Sequence, residues 1–85
     1  MLASLFTIVM EQILILALLD PSFKSETLEK IRKIPGVIMA HHLYGPYDLF
    51  AVIELNTLEE MRTTVLKIRY TDGIKSTITC NILKT

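Results

Sequence analysis

The sequence predicts one α+β domain over residues 1–85, with the element order βαββαβ. Three observations predict it. Apolar runs of strand length alternate with two amphipathic segments, a Gly-Pro turn joins two of these runs, and an internal repeat relates the two halves. A chain of this length forms one domain with a single small core. An apolar arm, residues 1–10, precedes the first strand.

The first strand and the first helix precede Pro35-Gly36. The strand is predicted over Glu11–Leu18 because this run is almost entirely aliphatic, and Asp20-Pro21 ends it. A helix is predicted over residues 25–33, since Ser25 suits an N-cap and Pro35-Gly36 stops the helix. Its buried stripe consists of two aliphatic residues, Leu28 and Ile31.

A hairpin with a Gly-Pro turn joins the next two strands, Val37–Tyr44 and Tyr47–Leu55. Gly45 can adopt a positive φ, and Pro46 fixes φ and ends strand pairing, so we expect a tight turn. Asp48 follows the turn at the head of an apolar strand. Its carboxylate either caps the turn by accepting backbone N–H bonds or contacts a ligand, and composition alone favours the cap.

The second helix opens with Thr57-Leu58-Glu59-Glu60, which fits a capping box. Asp72-Gly73 ends this unit, and the fourth strand is predicted over Ile74–Leu83. The predicted buried stripe of the helix has residues at i, i+3, i+7 and i+10, namely Leu58, Met61, Val65 and Ile68.

An internal repeat supports this order. The segment Thr27–Arg32 resembles Thr64–Arg69, and each copy is followed at the same offset by a glycine and a strand start. Two βαβ-type halves predict a ferredoxin-like fold. Right-handed crossovers then place both helices on one face of a four-stranded antiparallel sheet.

The other face of this sheet is predicted to be apolar too. Alternation puts Phe50 and Val52 on the face opposite Leu49, Ala51 and Ile53, and the first strand is apolar on both faces. An apolar sheet face exposed to water is typical of a surface that a partner molecule covers. We therefore expect an obligate homodimer with sheet facing sheet, a dimeric α/β sandwich, whose arms bind dimers into a ring.

Composition excludes several classes of protein. Nine basic and nine acidic residues cancel, which leaves no electrostatic footprint for nucleic acid. Cys80 is the only cysteine, so an intrachain disulfide is excluded and a reducing cytoplasm is expected. The apolar N-terminus lacks a basic region and a cleavage site, and Glu11 and Gln12 would lie mid-span, so neither a signal peptide nor a membrane span is expected.

No catalytic residue, metal ligand or cofactor site is predicted. His41 and His42 are adjacent on a strand, so they point to opposite faces and cannot chelate one metal together. Zinc spacing, a phosphate-binding glycine loop and a nucleophile with its base are lacking in the sequence. The alternative is a small dimeric enzyme of the monooxygenase or isomerase type, with His41, His42 and Tyr47 as acid–base groups.

Thr77, Thr79 and Asn81 form a polar row on the last strand, opposite Ile78 and Cys80. Such a row is usually a solvated face. Together with Asp48, Tyr44, Tyr47 and the N–H groups of the turn, it can also hold a small zwitterion, since hydroxyls and amides suit a carboxylate and Asp48 suits an ammonium group.

Three stretches resemble the effector-binding (RAM) domain of the Lrp/AsnC, or feast/famine, regulators: Ile34–Val37, Gly45–Leu49 and Asp72–Thr79. The resemblance covers roughly residues 10–84. It implies a ferredoxin-like fold, dimers joined through their sheets, and octamers or larger rings that bind amino acids at dimer–dimer contacts. Regulators of this family also carry a helix-turn-helix, for which this chain has no room, so it resembles a stand-alone domain.

The resemblance assigns an effector role to Asp48, Gly45, Leu58 and Cys80, and polar ligand contacts to Thr77 and Thr79. Tyr44 and Tyr47 complete the expected ligand-binding set. The expected function is amino-acid binding and oligomerisation without enzymatic activity, with transcription affected only through a full-length Lrp/AsnC partner. A ligand-free oligomerisation adaptor is a further alternative.

Overall fold

A computed structural model describes residues 11–83 and confirms the predicted order of elements. The predicted arm, residues 1–10, lies outside the described residues. Four strands and two helices follow one another as β1 (Glu11–Leu19), α1 (Lys24–Arg32), β2 (Val37–His42), β3 (Leu49–Leu55), α2 (Leu58–Arg69) and β4 (Ile74–Asn81). The strands form one antiparallel sheet in the order β2-β3-β1-β4, which is the ferredoxin-like arrangement.

The core lies between the helices and one face of the sheet. β1 is central, and its residue Ile15 lies opposite Ala51 of β3 and Thr79 of β4. Alternate residues of β1 and β3 are buried beneath the helices, as the sequence predicts: Ile13, Ile15, Ala17, Leu19, Leu49, Ala51 and Ile53. Among the described residues, neither helix is long and apolar enough to cross a membrane.

The turn between β2 and β3 is wider than predicted. β2 ends at His42 and β3 begins at Leu49, so the connection is the six-residue loop Leu43–Asp48. The N–H of Leu43 donates to the carbonyl of Asp48 at 2.8 Å and closes this loop. Gly45 adopts a φ of 137°, as expected, but Pro46 has no N–H to pair, so the strands separate before they reach the turn.

The predicted N-cap of the first helix, Ser25, is wrong. A 3-10 turn, Pro21–Phe23, precedes α1, and the Asp20 carboxylate accepts a hydrogen bond from the N–H of Ser22 at 2.9 Å. Pro21 presets a helical φ directly after this cap, so helical backbone begins early and Ser25 becomes the second residue of α1.

The second helix has the predicted cap, because the Thr57 hydroxyl accepts a hydrogen bond from the N–H of Glu60 at 3.0 Å. Met61 and Ile68 are buried as predicted. Leu58 is 72% exposed, so its place in the buried stripe is wrong. It is the first residue of α2 and lies before the helix reaches the core, while Thr64 is buried on the inner face instead.

The internal repeat is also a structural repeat. Thr27 and Thr64 are both buried, and Gly36 and Gly73 have φ values of 98° and 95°. Helix ends match as well, since Val37 N–H donates to Ile34 O and Ile74 N–H donates to Thr71 O, both at 3.1 Å. Each half therefore leaves its helix through a left-handed glycine.

We predict that Gly73→Ala destabilises the fold by about 1–3 kcal/mol, because a Cβ at this positive φ would collide with the Thr27 hydroxyl and the Phe23 side chain. Gly45→Ala is the control: its φ is also positive, but nothing lies within 4 Å of the added Cβ. Urea unfolding at one protein concentration measures both variants. A loss for Gly73→Ala no larger than that for Gly45→Ala would contradict the packing argument.

Candidate ligand site and open sheet face

The face of the sheet turned away from the helices, called here the open face, is largely apolar. The strand registers place eight apolar residues on it: Leu14, Leu16, Leu18, Met39, Phe50, Val52, Ile78 and Cys80. Met39 and Ile78 are 46% and 45% exposed. The second apolar face that the sequence predicts is therefore present in the single chain.

Two polar groups flank this apolar surface. Near one end, the Gln12 amide donates to the Glu54 carboxylate at 2.8 Å. At the β2 edge, the His41 ring lies 5.7 Å from the Phe50 ring, and a guanidinium nitrogen of Arg32 lies 3.2 Å from His41 Nδ1. Arg32 reaches this edge from the end of α1 and also donates to the Ala40 carbonyl at 3.0 Å.

His41 and His42 lie on opposite faces, as predicted, since His41 pairs with Phe50 and His42 with Leu49. Both histidines are exposed. The enzyme alternative expects a histidine beside a cavity between helices and sheet. That region contains fully buried aliphatic side chains: Ile15, Ile31, Leu49, Ile53 and Ile68.

Asp48 is tied to the end of β1. Its N–H donates to the Ala17 carbonyl at 2.9 Å, and its carboxylate accepts a hydrogen bond from the Leu19 N–H at 2.8 Å. The cap therefore reaches the neighbouring strand rather than the turn itself. One carboxylate oxygen makes this bond, and the other is left for a second contact at the same end of the sheet.

The polar row on β4 lies on the helix side of the sheet, because Thr77 pairs with Ala17 and Thr79 with Ile15. Thr77 is half-buried and lines a cavity of about 290 Å³ between the end of α2 and the start of β4. The lining residues are Arg69, Tyr70, Ile74, Lys75, Ser76 and Thr77. The cavity and Asp48 lie on either side of the end of β1.

The remaining predicted site residues are spread over the molecule. Tyr44 is fully exposed in the loop with Gly45, and Tyr47 is half-buried beside Asp48. Leu58 begins α2, beyond the far end of β3, and Cys80 points to the open face. One end of the sheet therefore brings together Tyr47, Asp48 and Thr77 within one chain. Leu58 and Cys80 lie elsewhere.

Sequence reasoning missed the cations near this end of the sheet. Arg69 and Lys75 line the cavity beside Thr77. Their signal is weak in sequence, since each is an ordinary basic residue at a helix end or strand start. Arg32 was also missed, because only the fold brings the end of α1 to the edge of β2.

Fold and site together define a class of protein: a ferredoxin-like domain with helices on one face, an apolar open face, and polar groups gathered at one sheet end. Residues 15–85 match the Lrp/AsnC ligand binding domain. The chain belongs to this family.

Individual relatives agree with the family match. The HTH-type transcriptional regulator LysM of Saccharolobus solfataricus is 32% identical over 60 residues, which are 71% of this chain and 42% of the regulator. This chain thus covers less than half of that curated relative. The crystal structure of FFRP-DM1 has 31% identity and a TM-score of 0.81, covering 87% of this chain and 100% of that one.

A third similar structure was solved with a ligand. The transcriptional regulator NMB0573 of Neisseria meningitidis, solved as an L-Met complex, superimposes with a TM-score of 0.78 at 17% identity. The alignment covers 99% of this chain and 55% of that regulator. At this identity the likeness shows the shared fold.

We predict that Asp48→Ala destabilises the chain by about 1–3 kcal/mol, because it leaves the Leu19 N–H without its acceptor. Asp48→Asn keeps a side-chain oxygen in place and should lose less. Urea unfolding distinguishes the two variants. Equal stability of wild type and Asp48→Ala would show that the bond to Leu19 contributes nothing.

Proposed function

We propose that this chain is a non-enzymatic module that binds an amino acid and assembles through its sheet. Membership of residues 15–85 in a ligand-binding family is the observation that carries the proposal. The L-Met complex of a regulator with the same fold supports an amino acid as the ligand class.

The polar end of the sheet supports binding of a zwitterion. Asp48 supplies a carboxylate for the ammonium group. Across β1, the Thr77 hydroxyl and the cations Arg69 and Lys75 suit the carboxylate. The cavity of about 290 Å³ is close to the lower limit of ordinary small-molecule sites, as expected for an amino acid.

Placement of the other candidate residues supports a site completed by a neighbouring copy. Leu58 and Asp48 lie at opposite ends of β3 within one chain. A second molecule that brings its α2 terminus to the loop Leu43–Asp48 would unite them. The loop would then contact that neighbour through Tyr44, Gly45 and Tyr47. Thr79 lies further along the polar row of β4, and Cys80 lies on the open face.

The open face supports a homodimer, and higher oligomers can form through other surfaces. Burial of apolar area stabilises association by roughly 25 cal/mol per Å² removed from water. We propose that a second copy covers the apolar residues of this face, because a two-fold arrangement lets one sheet cover an identical sheet.

The effect on transcription is proposed to be indirect. The nine basic and nine acidic residues give the chain no net attraction for nucleic acid. A full-length Lrp/AsnC regulator with the same ligand-binding domain would be its partner in a mixed assembly in the cytoplasm.

Titration calorimetry against the twenty amino acids tests the ligand. We expect at least one to bind the wild type, and Asp48→Asn to weaken it tenfold or more, which corresponds to about 1.4 kcal/mol. Asp48→Asn is preferred to Asp48→Ala because it keeps an acceptor for Leu19. Glu26→Gln, which neutralises an exposed carboxylate in the first turn of α1, is the control.

Absence of heat with all twenty amino acids, for monomeric, dimeric and larger fractions alike, would contradict the ligand and favour the ligand-free adaptor. Binding that is unchanged in Asp48→Asn would keep the ligand and remove Asp48 from the site.

Light scattering after size exclusion tests the assembly. We expect the wild type to be at least a dimer and Ile78→Lys to be monomeric, because a lysine on a covered apolar face would bury an unpaired charge. Leu66→Lys on α2 is the matched control, since Leu66 is 39% exposed and Ile78 45%. A monomeric wild type, or an assembled Ile78→Lys, would contradict coverage of this face.

A further inference from the structure

The open face carries one acidic group and one basic group, at separate positions. Among the paired residues of the described sheet, Glu54 is the one carboxylate on this face. His41, with the Arg32 guanidinium beside it, is the one basic group there. Glu54 lies beside an otherwise apolar surface with the neutral Gln12 amide as its partner in the chain, and a carboxylate without a cation there would be costly once water is excluded.

Glu54 is held in place within its own chain. It is half-buried, and Oε2 accepts a hydrogen bond from the Gln12 amide at 2.8 Å. This bond orients the carboxylate while leaving its second oxygen available. The carboxylate is therefore positioned on the face rather than free to turn away into solvent.

The basic group is equally well positioned. Arg32 Nε donates to the Ala40 carbonyl at 3.0 Å, and Nη2 lies 3.2 Å from His41 Nδ1. The remaining terminal nitrogen lies 3.6 Å from the carboxylate of Glu29, an exposed ion pair on α1. Three contacts thus hold the guanidinium at the β2 edge, next to the open face.

The spacing of the two groups suits a two-fold interface. His41 lies opposite Phe50, which is four residues before Glu54 on β3, so the groups are separated by roughly 13 Å along the strands. An isologous interface makes every contact twice. The two groups are also offset sideways by one strand spacing, because Glu54 is on β3 and His41 on β2. A two-fold axis that lies between the sheets and crosses these strands obliquely, midway between the two groups, would place Glu54 of each copy over His41 of the other.

We infer that Glu54 of one copy pairs with the Arg32–His41 group of a second copy, and that two such reciprocal pairs align the sheet-to-sheet dimer. This inference rests on the proposed dimer. The apolar residues supply the area of the interface, and the charge pairs select the alignment and the partner. A chain that mixes with this one through the same face must carry an acid and a base at the same two places.

Exchange of charges tests this pairing. Glu54→Lys places a lysine opposite the Arg32–His41 group in a homodimer, and His41→Glu places a carboxylate opposite Glu54 that also competes with it for Arg32. Each variant alone should therefore form dimers at least tenfold more weakly than the wild type. In an equimolar mixture, the introduced lysine of one chain faces the introduced glutamate of the other, and the native Glu54 faces the native His41. We expect native mass spectrometry to show mainly the heterodimer.

Two controls accompany the exchange. Glu26→Lys reverses an exposed charge in the first turn of α1 and should leave the dimer as in the wild type. Glu54→Gln keeps a partner for Gln12 and removes only the charge, so it should weaken the dimer and reduce the effect of salt on dimerisation. This neutral variant tests the pairing even if Glu54→Lys fails to fold.

The outcomes separate the two proposals. A monomeric wild type overturns the dimer itself, and the pairing with it. A dimeric wild type whose variants associate equally well alone and mixed overturns the pairing and leaves the dimer. Unchanged affinity and salt dependence in Glu54→Gln would likewise overturn the pairing.

Discussion

The structure depends on one constraint: a sheet that is apolar on both faces has helices on only one of them. β1 shows this residue by residue, since Ile15 is buried beneath the helices and its neighbour Leu16 points to the open face. The helices of a lone chain remove only the apolar residues of one face from water. The proposed assembly would then follow from how the core is built and would not be a separate property.

Asp48 is the side chain at which an observed structural contact and the proposed ligand contact meet. It links the loop Leu43–Asp48 to the end of β1 through its carboxylate. A ligand that used the same carboxylate would bind at a point where the loop, the central strand and the adjacent cavity come together. Binding there could be transmitted to the loop and to any neighbour that contacts it, which is how a small ligand could alter assembly.

Local sequence patterns predicted much of the fold, because each reflects interactions between residues that are close together in the chain. The alternation in β3, the N-cap at Thr57 and the glycine stops at Gly36 and Gly73 each depend on neighbouring residues, and all were confirmed. Periodicity placed Leu58 on the correct face of α2, but it cannot tell where a helix begins to overlap the core.

Long-range contacts were the part that sequence could not supply. Leu19 and Asp48 are 29 positions apart, and their hydrogen bond exists only because β1 lies beside β3. Ser25 is an adequate cap in isolation, yet Asp20 and Pro21 start helical backbone before it. The Arg32 contact at the β2 edge and the cations beside Thr77 likewise depend on which elements the fold brings together.

Covalent labelling of Cys80, which points to the open face, tests the central claim most directly. The labelling rate of Cys80 in the wild type is compared with its rate in Met39→Lys. Met39 is exposed on the edge strand β2, and the strand register places it in line with Cys80 of the opposite edge strand β4 across the open face. Coverage by a second copy predicts slow labelling in the wild type and much faster labelling in the variant. Equal rates in two folded proteins would show that the open face is not covered.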